Sequence, residues 1–383
     1  MTFMQKLKRI VRIRNLIVFC LILLLIYWGG SAILKYWNQP LTTDTSYVFG
    51  DNESGIQFPV ITICDYDFYK KNPLLKDCKI GPRDLIGSFL SCMKKDKNFQ
   101  MESFTNSLQL DVRKIVSIVR VWTGKEWIIL QDLESQAWSK IFNYFWGFCH
   151  TFDLSKIEKF EYVSYKERGR PILQFVMAEN SPWKRLILML HTKNDLPDAW
   201  LLNGYSTVEF SNTTKQYHRI DLKKQINKRE STRKVPCEKY EYRTCQSIED
   251  NQLILEKFHC HIPILYSGQH LDNLIPKDVL NCSQEAIEEG LELILKKETK
   301  CKQTQTCEMT RFTSIYTIEK NNWVGNNTMI WVLFANPEVE DHHTYVSYDL
   351  ISLVGEIGGI LGLTLGASTL TLLELLFQHL HYY

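Results

Sequence analysis

Two long apolar runs, one near each end, constrain this chain more than any other feature. Leu16 to Leu34 reads LIVFCLILLLIYWGGSAIL, 19 residues without a charge. At about 1.5 Å of rise per residue, such a helix nearly crosses a hydrocarbon core of roughly 30 Å. Near the other end, Ile351 to Phe377 is apolar apart from Glu356 and Glu374, and Ile357 to Leu373 carries no charge. Two spans bring both termini to the same side of a membrane. Lys6, Lys8, Arg9, Arg12 and Arg14 precede the first run, and by the positive-inside rule they hold the N-terminus in the cytoplasm. Tyr36 and Trp37 suit the outer interfacial belt. The roughly 310 residues between the runs are therefore expected outside the cell.

Cysteine usage agrees. Of 11 cysteines, Cys20 lies in the first run and all the others lie between the runs. An even set in an oxidising compartment predicts disulfides, without fixing their connectivity. Acceptor sequons for N-glycosylation begin at Asn52, Asn212, Asn281 and Asn326, in the same region. A cleaved signal peptide with a C-terminal lipid-anchor signal is the competing reading of the two runs. It fits poorly, because the first run exceeds the usual h-region and Glu356 and Glu374 interrupt the second. The formal net charge of +2 gives no reason to expect a nucleic-acid partner.

Between the runs the pattern is mixed, with no internal repeat. GIQFPVITIC (Gly55 to Cys64) reads as a strand with Pro59 at its start or on an edge. Arg83 to Met93 and Ala137 to Trp146 read as amphipathic helices. Phe160 to Val208 alternates like a strand-rich core, including ILQFVMA and RLILMLH. From Cys237 to Cys307 the period is helical, with Ala286 to Lys297 the clearest helix, and Phe312 to Ile318 and Met329 to Phe334 read as strands. This predicts an α+β ectodomain between two membrane helices.

The second run carries the functional signal. Gly358, Gly362 and Gly366 recur every four residues, so neighbouring helix backbones can approach closely. A plain packing face would show the same glycines. Glu356 and Glu374, however, are costly in a membrane helix unless they face protein or water, which suggests an aqueous path. Gly366, Ala367 and Ser368 offer small side chains and accessible oxygens, which can replace a cation's hydration shell. Under symmetry each carboxylate would become a ring that concentrates cations.

Leu353, Gly358, Gly359, Gly362, Leu363, Gly366, Ser368, Leu370 and Glu374 together make this run resemble the second transmembrane segment of the degenerin/epithelial sodium channel family. FPVITIC (Phe58 to Cys64), WGFCHTFD (Trp146 to Asp153), LILMLHTKNDLPD (Leu186 to Asp198) and CEMTRF (Cys307 to Phe312) are similar to further family motifs, in family order. His150 and Asp153 depart from the usual tyrosine and asparagine. The stretch before the first run lacks the His-Gly dipeptide that relatives use in gating, and only Gln378 to Tyr383 follow the second. His191 is read here as a satisfied core histidine.

The resemblance implies a trimeric, amiloride-sensitive sodium channel subunit in the plasma membrane, homomeric or heteromeric, with sodium as permeant and no cofactor. It implies a strand palm, a helical finger and a thumb at about 237–307. Cytoplasmic ends at 1–15 and 378–383, spans at 16–36 and 350–377, and an extracellular domain at 37–349 complete the layout. The selectivity tract falls on Gly366, Ala367 and Ser368, and the pore and gate on Gly355, Glu356, Gly359, Gly362 and Glu374. The implied disulfides are Cys64–Cys149, Cys237–Cys307, Cys245–Cys301 and Cys260–Cys282, with Cys78 and Cys92 left over to pair. An ATP-gated trimeric channel, a non-conducting receptor or adhesion glycoprotein, and an ectoenzyme are the alternatives. The last lacks any HExxH or GxSxG spacing.

Overall fold

The computed structural model describes residues 3–49, 57–66, 90–91, 93–94, 111–123, 126–130, 137–143, 147–157, 170–192, 206–211, 216–239, 242–262, 279–302, 306–319 and 327–365. In chain order the elements begin with α1 (Phe3–Asn38), β1 (Leu41–Phe49), β2 (Val60–Asp65), β3 (Val116–Trp122) and β4 (Trp127–Ile129). There follow β5 (Trp138–Asn143), β6 (Gly147–Phe152), β7 (Ile172–Met177), β8 (Arg185–His191), β9 (Ser206–Ser211) and β10 (Tyr217–Arg229). The chain continues through α2 (Tyr242–Phe258), α3 (Gln284–Lys296), β11 (Glu308–Glu319), β12 (Met329–Val346) and α4 (Leu350–Leu365). They fall into two compact units. One gathers Met1–Asp44, Arg229–Cys237 and His343–Tyr383; the other gathers Thr45–Lys228 and Glu238–His342.

The larger unit is built on two sheets. A five-stranded sheet runs β5-β6-β2-β8-β9, and a seven-stranded sheet runs β11-β10-β12-β7-β3-β4 with β1 paired to β12. Strand period 2 sorts the side chains. On β2, Ile61 and Ile63 face the main core with Leu186, Leu188 and Leu190 of β8. Cys64 points the other way, into a smaller cluster with Ile141, Cys149, Ile187 and Met189. From the seven-stranded sheet, Val119, Val121, Leu173, Phe175, Ile330, Val332 and Phe334 close the main core. Aromatic edges lock it: Phe152 meets Phe175 at 5.4 Å and nearly a right angle, and Phe58 meets Phe334 at 5.2 Å.

The structure agrees with expectation at Pro59 and departs from it at Ala137 to Trp146. Strand β2 starts at Val60, directly after Pro59, whose missing N–H would break the ladder further in. Ala137 to Trp146 is not a helix: Trp138–Asn143 is β5, paired antiparallel with β6. Trp138 packs on the main core and Ile141 on the smaller cluster, an up-down alternation that a helix cannot provide. Of the helix expected at Arg83 to Met93, Leu90 and Met93 are helical and buried; most of the rest lies outside the described residues.

The helical lobe follows its sequence pattern. Ser283 caps α3 by accepting the Ala286 N–H, and Ile287, Leu291 and Ile294 bury one stripe. Gly290 lets Ile254 of α2 approach. Disulfides Cys245–Cys301 and Cys260–Cys282 clamp the lobe, and Lys297 sits 3.3 Å from both Glu249 and Asp250.

In the smaller unit, α1 contains the first apolar run and α4 the outer part of the second. Among the described residues no helix is long and apolar enough to cross a membrane. Helix α4 is described only to Leu365, short of the end of its apolar run at Phe377.

Candidate functional site

Helix α4 begins at a built cap. Asp349 accepts the Ser352 N–H on its carboxylate at 2.8 Å, and the Leu353 N–H on its carbonyl at 3.0 Å. The Ser352 N–H and then the Ser352 side chain, donating to the ionised form, hold the Asp349 carboxyl below its ordinary range. From this start the helix turns by about 100° per residue, which puts Gly355, Gly359 and Gly362 within an arc of about 60°. All three are exposed, and a Cβ built at Gly355, Gly358 or Gly359 would meet no atom within 4 Å. The glycine face is open in the single chain.

The opposite face is covered. Leu353, Glu356, Ile357, Ile360 and Leu361 are half-buried, and α1 packs there. On α1 the matching stripe is Leu25, Gly29, Ala32 and Tyr36, with Ala32 fully buried. Around that contact Phe19, Ile22, Leu23, Leu24, Ile26, Tyr27, Ile33 and Leu34 on α1 stay exposed, as do Leu350, Ile351 and Val354 on α4.

Glu356 lies on the covered flank, about 100° around the helix from Gly355. Its carboxylate accepts from Lys35 Nζ at 3.1 Å and from the Tyr348 hydroxyl at 2.6 Å. Lys35 Nζ also sits 5.7 Å from the centre of the Tyr348 ring. Desolvation, and then donation to this carboxylate, push the Tyr348 hydroxyl up to about 12, so it stays a donor at physiological pH. Within the chain Glu356 is thus held by Lys35 and Tyr348. Lys35 and Tyr348 escaped sequence reasoning, yet a signal was available. Lys35 is the first charge after one apolar run and Glu356 the only charge in α4, so antiparallel helices bring opposite charges level.

The segment 229–237 borders the exit from α1. Past the helix Gln39 turns with φ 46, in the left-handed region, and Pro40 follows. Arg233 gives its N–H to Gln39 Oε1 at 3.1 Å and lays its guanidinium 5.6 Å from the Trp37 ring centre. Glu230 gives its N–H to the Thr344 carbonyl at 2.9 Å and takes the Val346 N–H at 3.1 Å. Tyr345 donates to Asp44 at 2.9 Å, and Ser347 gives its N–H to the Pro40 carbonyl at 2.9 Å. One compact junction therefore joins the end of α1, this segment, and the strand that leads into α4.

Of the other expected residues, Cys64 and Cys149 are register partners on β2 and β6 and form a disulfide. Cys245–Cys301 and Cys260–Cys282 also form as expected, and Cys237 and Cys307 are each disulfide-bonded. Cys20 is free and exposed. Cys78, Cys92, Asn52, Asn212, Asn326, Gly366, Ala367, Ser368 and Glu374 lie outside the described residues. Asn281 is exposed, beside the cap of α3. His191 is the satisfied core histidine it was read as: Nε2 lies 2.8 Å from Thr62 Oγ1 and Nδ1 lies 2.7 Å from the Thr192 carbonyl.

Along the chain a disulfide-bonded, strand-rich domain lies between two apolar helices, and those two helices pack on each other. The family model described as amiloride-sensitive sodium channel matches residues 5–377, and the chain belongs to that family. It is thus an ion channel protein of the degenerin/epithelial sodium channel type, and such channels are plasma-membrane proteins. No curated protein matches the sequence. Among solved structures, the cryo-EM structure of a proton-activated chloride channel aligns over 96% of each chain, at 8% identity and a TM-score of 0.36, too low to support the assignment.

Proposed function

We propose that this chain is one subunit of a trimeric, sodium-selective, amiloride-sensitive channel, with both termini cytoplasmic. Residues 16–36 and 350–377 are its two membrane helices, and 37–349 is its extracellular domain, glycosylated on at least one of Asn52, Asn212, Asn281 and Asn326. The observation that carries this reading is the family match over residues 5–377. Two features of the smaller unit support it. The exposed apolar side chains around α1 and α4 are what a lipid-facing surface requires. The open glycine face of α4 is what close approach of identical helices requires.

In this mechanism an extracellular stimulus moves the extracellular domain, and the strand leading to Tyr345 carries the displacement into Asp349 and α4. Three copies of α4 cross near Gly355 when closed, splay to open, and let sodium pass the tract Gly366, Ala367 and Ser368. Glu374 stands toward the inner end of the same path. Gly355 lies eleven residues before Gly366, about three turns or roughly 16 Å outward. Pairing of Cys237 with Cys307, and of Cys78 with Cys92, completes the disulfide set. Whole-cell recording tests the function. The expected result is an inward sodium current, reversing near the sodium equilibrium potential and blocked by amiloride. Surface-delivered protein with no such current, alone or with a related subunit, would refute it.

A further inference from the structure

The geometry points to Lys35 as a determinant of permeation, because it neutralises Glu356 within the same subunit and so removes that charge from the pore mouth. The inference rests on the channel reading above. Three facts of the structure carry it. Glu356 is the only charge on α4, and it lies on the flank facing α1 rather than among the open glycines. Lys35 Nζ reaches one carboxylate oxygen at 3.1 Å, while the Tyr348 hydroxyl takes the other at 2.6 Å. Both oxygens therefore have a donor, and the carboxylate is fixed in place rather than swinging toward the glycine face.

The electrostatic consequence is direct. A free Glu356 would give each subunit one negative charge at the outer end of α4, and three subunits would form an anionic ring that concentrates cations. Paired with Lys35, the same residue presents only a small dipole, whose field falls off faster than that of a net charge. Lys35 and Glu356 side chains are 53% and 32% exposed, so the pair is wetted and its influence is sensitive to salt. Lys35 is a positioning residue here: it acts through Glu356 and does not itself bind the permeant ion.

Single-channel conductance of the full chain, measured at low and at high ionic strength, tests this. Lys35→Gln frees the carboxylate, and inward sodium conductance at low salt should rise by on the order of twofold to tenfold. The gain should vanish near 1 M salt, where the screening length is only about 3 Å. Glu356→Gln alone leaves Lys35 unpaired and should lower low-salt sodium conductance, whereas the double variant Lys35→Gln with Glu356→Gln, again neutral, should return it to near the wild-type value. If Lys35→Gln leaves low-salt sodium conductance unchanged, Lys35 does not offset the carboxylate at the pore mouth and the inference is overturned. A second readout needs no current. In detergent-solubilised full-length protein, Lys35→Glu and Glu356→Lys should each lower the melting temperature, and the double swap should restore it. Failure of that rescue removes the pair. A chain that passes no current refutes the channel reading instead, and the swap then decides the pairing by itself.

Discussion

Acidification should weaken the strand-rich domain through one histidine. His218 on β10 is 1% exposed, between the Tyr316 ring, stacked at 5.8 Å, and the Phe210 ring at 5.2 Å. Its Nδ1 lies 2.6 Å from the Tyr316 hydroxyl, and its Nε2 is enclosed with no hydrogen-bond partner. In the protonated ring both nitrogens carry an N–H, and the one on Nε2 has no acceptor; burial lowers the pKa from 6.5 to about 4. A depressed folded-state pKa contributes stability that is fully present above the unfolded value of 6.5. That stability is lost as pH falls from there toward 4, and below 4 the loss is complete. At about 1.4 kcal/mol per unit, the gap is worth on the order of 3 kcal/mol, a sizeable share of a typical domain's margin. For a domain of this size that is a melting shift of roughly 5–10 °C. The assay is thermal melting of the full-length protein in detergent at pH 7, 5.5 and 4, for wild type and for His218→Phe. Phenylalanine keeps the ring stack and removes the titration, so its melting temperature should fall much less across this range. Equal slopes for the two proteins would refute the reasoning.

Two further outcomes follow from glycines. At Gly290 an added Cβ would lie 2.7 Å from Ile254 Cδ1 and 3.1 Å from Ile262 Cδ1. Gly290→Ala sets about 1 kcal/mol of helix propensity against a contact that a flexible isoleucine tip can relieve, and should stay within about 1 kcal/mol of wild type in melting. Gly290→Leu has no such relief and should cost a few kcal/mol and sharply reduce surface delivery. At Gly355, Gly355→Cys treated from outside with a bulky thiol reagent should give a lasting rise in amiloride-sensitive current, because overpacking the closed crossing favours the splayed state. Labelling without any change in current would remove Gly355 from the gate.

What the sequence made legible, and what it did not, follows from the range of each signal. The apolar runs, the strands β7 and β8, and helix α3 were legible because their pattern is local and regular. Strand β5 was misread because Ala137 and Ile141 are spaced like one helix face, and only long-range pairing with β6 decides otherwise. Strand β10 was missed altogether: its apolar residues thin out after Leu222 among lysines and glutamine, while the ladder to β11 runs from Tyr217 to Lys228. At the site, the glycine spacing on α4 was legible from helix geometry alone. The partner of Glu356 was not, since Lys35 lies 321 residues away and meets it only when α1 packs on α4.

The central claim, that sodium crosses at Gly366, Ala367 and Ser368, is tested most directly by the reversal potential under bi-ionic sodium and potassium conditions, in wild type and with Ser368 replaced by a bulkier residue. The account predicts a clear preference for sodium in wild type. It predicts loss of that preference, or of current, in the variant, with surface delivery unchanged. An unaltered reversal potential in a conducting Ser368 variant would contradict it and place the selectivity elsewhere in the chain.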